Sequence, residues 1–157
     1  MKYWRHKMTT TVAMTGILLL GFTMGCSDAT SFDDDGHAEP DGLVIRQGST
    51  VLVEITEQSV SGMLTVQNGL ETAHLTVEFT DHDGDVITVD ESEFYLEVTV
   101  ADSTVADFHQ DTPGEFGGHF EGLAVGSTTM TFSLMHGQVD TGHPDYISPA
   151  VTGTVLN

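Results

Sequence analysis

From Leu43 onward, apolar and polar positions alternate. Leu75, Val77 and Phe79 share one face of the run Ala73–Thr80, and Phe94–Val100 and Met130–Leu134 carry the same period of two. Side chains change faces at every residue of a strand, so this period predicts strands with one buried face. Thr50–Ile55 and Gly62–Val66 are short runs rich in the β-branched residues that suit a pleated surface. Further strands are expected at 104–109, 117–123 and 148–156, and 43–46 and 50–56 are added strands that could form an up-and-down hairpin. Turn formers separate the runs, at Gln67-Asn68-Gly69, Asp83-Gly84-Asp85, Pro113-Gly114 and Gly126-Ser127. Helical periodicity is not sustained anywhere after Cys26. Roughly seven to ten short strands in residues 43–157 predict an all-β domain, an antiparallel β-sandwich. The segment is long enough for a core without disulfides.

The N-terminus has a different texture. Lys2, Arg5 and Lys7 precede an apolar run, Val12–Gly25, that ends at Cys26, the one cysteine of the chain. A basic segment, a short apolar segment and a small residue form an export signal, here 1–25. The run is too short to cross a hydrocarbon layer of about 30 Å comfortably, so removal is expected rather than anchoring. Residues 26–42 are acidic (Asp28, Asp33, Asp34, Asp35, Glu39, Asp41) and nearly devoid of apolar side chains. That composition predicts a disordered acidic tether leading into the domain at 43–157.

Charge narrows the partners. All 24 acids follow Cys26, where Arg46 is the single Lys or Arg. Such a chain repels nucleic acid and anionic lipid headgroups. Two readings of the acidity stand side by side: a surface suited to a saline habitat, or a face that attracts cations or basic partners.

The segment Leu20-Gly21-Phe22-Thr23-Met24-Gly25-Cys26 resembles a bacterial lipoprotein processing site. The resemblance implies that Cys26 is acylated and becomes the N-terminus of the mature protein. Several acyl chains suffice for stable anchoring, at about 0.8 kcal/mol per buried methylene. Ser27 after the cysteine, where Asp would signal retention, implies the outer membrane rather than the inner. An ordinary secretory signal with an incidental cysteine is the alternative.

A second resemblance lies in the body of the chain. Asp102-Ser103-Thr104-Val105-Ala106-Asp107-Phe108, followed by Gly117–Phe132 with its Glu121-Gly122-Leu123-Ala124-Val125-Gly126 turn, resembles the second half of group 2 bacterial immunoglobulin-like domains, as does Phe79–Ile87. The likeness covers roughly residues 60–157. It implies an immunoglobulin-like sandwich that binds a partner or acts as a spacer at the cell envelope. The family shares no catalytic residues, so none transfers to this chain.

Catalytic patterns are scarce. There is no G-x-S-x-G elbow, no H-E-x-x-H pair and no phosphate-cradling glycine loop with a lysine. The histidines are the constellation to weigh. His136, His143 and Asp145 are dense in the segment before the last strand, expected to be a loop. Asp81-His82-Asp83-Gly84-Asp85 is expected at the same end of the sandwich, and His37 and Glu39 of the tether approach that end if 43–56 is a hairpin. Imidazoles and carboxylates converging there suit Zn²⁺ or Cu²⁺. Each piece also has a plainer reading. His136 and His143 can be solvated loop residues. Asp81, Asp83 and Asp85 can ligate Ca²⁺ or simply form a polar turn with Gly84 at positive φ. His74 and His119 are expected to face solvent. The expected function is therefore a non-enzymatic, lipid-anchored envelope module that binds a protein or small ligand at its end loops, with a Zn²⁺- or Cu²⁺-binding lipoprotein as the alternative.

Overall fold

Alternation along the chain becomes two sheets packed face to face. The computed structural model describes residues 39–157. The expected signal at 1–25, Cys26, most of the expected tether and His37 lie outside the described residues. One sheet has six strands in the order β3 (Ser59–Gly62), β2 (Thr50–Thr56), β1 (Gly42–Gln47), β5 (Leu75–Thr80), β8 (Gly117–Gly122) and β7 (Ala106–His109). The other is built on β9 (Gly126–His136), which pairs with β10 (His143–Ile147) and β11 (Val151–Leu156), while β6 (Phe94–Val100) also pairs with β9 and β4 (Leu64–Gln67) adds to β11. Residues Ser133–His136 of β9 pair with β6 and with β10 at once, so those two strands lie on opposite edges of β9. Among the described residues there is no helix.

The inward positions are the apolar ones that the alternation marks. Leu75, Val77 and Phe79 are buried, as are Leu43, Ile45, Val53 and Ile55 on the neighbouring hairpin. Phe94, Leu96, Phe132 and Leu134 face them from the second sheet, with Phe108 and Phe132 meeting edge to face at 5.5 Å. Each fully buried side chain of this kind contributes about 1.5–3 kcal/mol, and this shared interior is what holds the sheets in fixed relation.

Four features differ from the expectation. Gly62–Val66 is not one strand. It breaks at Gly62, whose φ of +88° turns the chain out of the six-stranded sheet, so that β4 continues in the other. A Cβ there would lie 2.0 Å from the Leu52 carbonyl oxygen, so the corner requires glycine. β4 pairs with β11 in parallel, which departs from a purely antiparallel sandwich. Residues 40–42, expected to belong to the tether, are part of the fold. Gly42 opens β1, Pro40 is buried, and the Asp41 amide donates to the Thr80 carbonyl at 2.9 Å. Finally, the segment expected to be a loop before the last strand contains β10, an edge strand that pairs with β9 despite Pro144. Proline is tolerated there because an edge strand leaves one side unpaired.

Candidate metal centre

β9 ends at His136, and the chain reverses through Gly137–Gly142. Gly137 and Asp140 take positive φ (111° and 72°), and the amides of Thr141 and Gly142 both donate to the Gln138 carbonyl at 3.0 and 2.9 Å. A Cβ at Gly142 would lie 2.5 Å from the His136 carbonyl oxygen, so the reversal is as tight as the backbone permits. The turn delivers His143 directly opposite His136. A bulge follows between Pro144 and Tyr146, and Asp145 is its extra residue. Bulges re-aim side chains, and this one sets a carboxylate beside two imidazoles.

The geometry is compact. His143 Nε2 is 3.5 Å from Asp145 Oδ1, and His136 Nδ1 is 3.9 Å from Asp145 Oδ2. One ligand atom from each of the three residues lies within 4.8 Å of the others. The Asp145 side chain is only 4% exposed, whereas that of His143 is 61% exposed, so the cluster has a buried floor and an open side. The floor continues into the core. The His136 ring stacks on Phe94 with centroids 4.7 Å apart and planes 21° apart, which fixes its orientation. Tetrahedral Zn²⁺ with arms of about 2.0–2.2 Å spaces its ligands about 3.4 Å apart, so small side-chain adjustments would bring these donors onto one ion and leave a position open.

The other expected ligands lie elsewhere. His82 Nδ1 is 3.6 Å from Asp41 Oδ2. Glu39, Pro40, Asp41, Asp81, His82 and Asp83 line one shallow hollow, and neither His82 nor Glu39 belongs to the His136 cluster. Asp81 Oδ1 accepts from the amides of Asp83 and Asp85 at 3.0 and 2.9 Å, and Gly84 has φ of +84°. This turn is complete through its own hydrogen bonds, with Asp81 turned onto the backbone. Tyr146 stands between the two regions. Its hydroxyl is buried without a hydrogen-bond partner among the described residues, and burial together with the Asp41 charge pushes the phenol up to about 12.

A second cluster, absent from the sequence-based expectation, lies on the outer face of the six-stranded sheet. His119 of β8 is paired with His109 of β7, and His74 sits just before β5 on the other side of β8. His74 Nε2 is 3.7 Å from Glu115 Oε1, and His119 Nε2 is 3.6 Å from Asp111 Oδ2. Ligand atoms of His74, Asp111 and Glu115 all lie within 4.8 Å of one another. His119 was expected to face solvent, yet its side chain is 17% exposed. Its Nδ1 lies 2.8 Å from the Thr72 carbonyl. That bond is the main reason His119 holds its proton above the ordinary imidazole value, with the nearby Glu71 and Asp111 charges adding to it. The one sequence signal for this cluster was outward-facing histidine on β7 and β8. The register that joins them to residues 72–74 is not a local pattern.

Comparison with protein-family models and with curated proteins finds no match. Among solved structures, the chain is similar to the crystal structure of domains 4 and 5 of the S-layer protein SbsC, at 19% identity and a TM-score of 0.38 over 75% of this chain. The chain spans 66% of that structure's length.

Proposed function

We propose that this protein is a lipid-anchored, non-catalytic module of the cell envelope, immunoglobulin-like in fold, whose ligand is a transition-metal ion, Zn²⁺ or Cu²⁺, held by His136, His143 and Asp145. The observation that carries the metal assignment is the mutual approach of three donors within 4.8 Å at the tip of one hairpin. Two imidazoles and a carboxylate are a donor set that both ions accept. The anchoring half rests on the export signal, Gly25-Cys26 and the acidic tether. In this reading the sandwich is a rigid support and the metal either is the cargo or bridges to a partner through the open position.

Zn²⁺ binding to the folded state raises stability by RT ln(1 + [L]/Kd), about 2.7 kcal/mol at one hundred times Kd. Thermal unfolding of the full chain with and without Zn²⁺ is expected to show this gain, and His136→Ala with His143→Ala to remove most of it. An equal response from both proteins would refute the hairpin assignment. Cys26→Ala is expected to release the protein from envelope membranes, and an unchanged membrane fraction would refute the anchor.

A further inference from the structure

We propose that the outer face of the six-stranded sheet carries a second divalent-metal site, in which Zn²⁺ is held by His74, Asp111 and Glu115, with Nε2 of His119 as the fourth donor. It shares no residue with the hairpin site and does not depend on it.

Three observations point to this assignment. Ligand atoms of His74, Asp111 and Glu115 lie within 4.8 Å of one another, with His74 Nε2 3.7 Å from Glu115 Oε1, against the separation of about 3.4 Å between ligands of tetrahedral Zn²⁺; His119 Nε2 lies outside that group, 3.6 Å from Asp111 Oδ2, and joins as the fourth donor only by a side-chain adjustment. His119 is oriented in the manner of a metal ligand. A backbone carbonyl can only accept, so the 2.8 Å contact with Thr72 places a proton on Nδ1 and leaves Nε2 of the neutral ring with its lone pair toward Asp111. Metal-bound histidines are held by such an outer hydrogen bond. The space is also kept clear. A Cβ at Gly117 would lie 2.5 Å from His74 Cε1, so the bay in which His74 lies against the sheet exists because residue 117 has no side chain.

The cluster is tied down from several directions. The His74 and His119 rings meet edge to face at 5.3 Å. Glu115 Oε1 accepts from the Asp111 amide at 2.8 Å, and the Gln110 side chain donates to the Glu115 carbonyl at 2.7 Å, which closes the 110–115 loop around both carboxylates. Donors held by a second layer of contacts favour one geometry.

The test is Zn²⁺ stoichiometry of the untagged full chain at pH 7.5, by calorimetric titration and metal analysis after dialysis. Two equivalents are expected for the unaltered chain. One is expected for His136→Ala with His143→Ala, one for His74→Gln with Glu115→Gln, and none for the four combined. If His74→Gln with Glu115→Gln binds as many equivalents as the unaltered chain, the second site is refuted. If that pair removes the bound ion while His136→Ala with His143→Ala removes nothing, the second site stands and the hairpin site fails. A readout independent of variant folding is the long-range proton–nitrogen NMR spectrum of the unaltered chain. His119 is expected as the Nδ1–H tautomer, with Nε2 of both His74 and His119 shifting on Zn²⁺ addition. Unmoved Nε2 signals would overturn the assignment.

Discussion

The two histidine clusters use the same donor types but are built by different means. At the sheet edge, one hairpin brings His136 and His143 opposite each other across a tight turn, and a bulge adds Asp145. On the outer face, Asp111, Glu115 and His119 belong to the β7–β8 loop and β8, and His74 from the segment before β5 meets them only because β5 and β8 are adjacent. The β5–β8 ladder beneath the second cluster is short, at Leu75–Gly118 and Thr76–Gly117, and is continued by the amides of Thr72 and Val77, which donate to the Phe120 and Phe116 carbonyls at 3.0 Å each. The hairpin cluster instead rests on the long β6–β9 pairing and the Phe94 ring. A site made within one hairpin needs little beyond its turn and its floor. A site made across strands is only as firm as the pairing under it.

Removing the floor of the first cluster is expected to have the largest effect. Phe94→Ala empties a fully buried position and costs about 3–5 kcal/mol. Its specific consequence is weaker Zn²⁺ binding at the hairpin with the outer-face equivalent retained, as measured by urea unfolding and titration. Unchanged hairpin affinity in the folded variant would show that the stacked ring does not position His136.

The seam under the second cluster is probed by Gly117→Ala. The added methyl would meet the Leu75 carbonyl oxygen and His74 Cε1, both at 2.5 Å, and overpacking of this kind costs about 1–3 kcal/mol. The variant is expected to lose the outer-face equivalent and keep the hairpin one, the reverse of Phe94→Ala. Loss of both ions at a temperature where the variant remains folded would show that the two regions are coupled.

A smaller effect is expected from Tyr146→Phe, next to Asp145 on the bulged strand. Its buried hydroxyl has no partner among the described residues, so deletion is expected to be neutral or to stabilise by up to about 1 kcal/mol. A loss of stability in urea would reveal a bond made through water. Zn²⁺ affinity at the hairpin should change little if the three named donors suffice.

The smallest effect separates both clusters from the ordinary acid response of the chain. The Thr104 hydroxyl and amide, donating at 2.6 and 3.0 Å, hold the Asp102 carboxyl below its usual range. Its contribution is complete above the unfolded value of about 3.9 and is lost as the pH falls through the lower folded value. Asp102→Asn is expected to flatten that part of the stability profile below pH 4 and to leave both metal equivalents untouched at pH 7.5. A Zn²⁺ stoichiometry altered by this variant would mean that the clusters respond to the fold as a whole.

Much of the architecture was legible in the order of residues. Leu75, Val77 and Phe79 announced a buried strand face and are buried, and Gly84 announced its turn and has positive φ. The strands expected at 43–46 and 50–56 are present, and they pair as the β1–β2 hairpin. Of the candidate ligands, His136, His143 and Asp145 were recognisable as a dense local group, although the strand that aligns them was not. His143-Pro144-Asp145 reads as a loop because proline and aspartate are poor strand formers, and only an edge position against β9 makes them a strand.

What the sequence determined is therefore the period of two, the inward face it marks and the turns between runs, because each depends on residues close along the chain. The change of sheets at Gly62, the parallel entry of β4 beside β11 and the meeting of His74 with Asp111, Glu115 and His119 were decided by tertiary structure. Alternation specifies which side of a strand is buried. Which strands become neighbours, and in what register, follows from packing two whole sheets around one shared interior, and no short stretch of sequence contains that information.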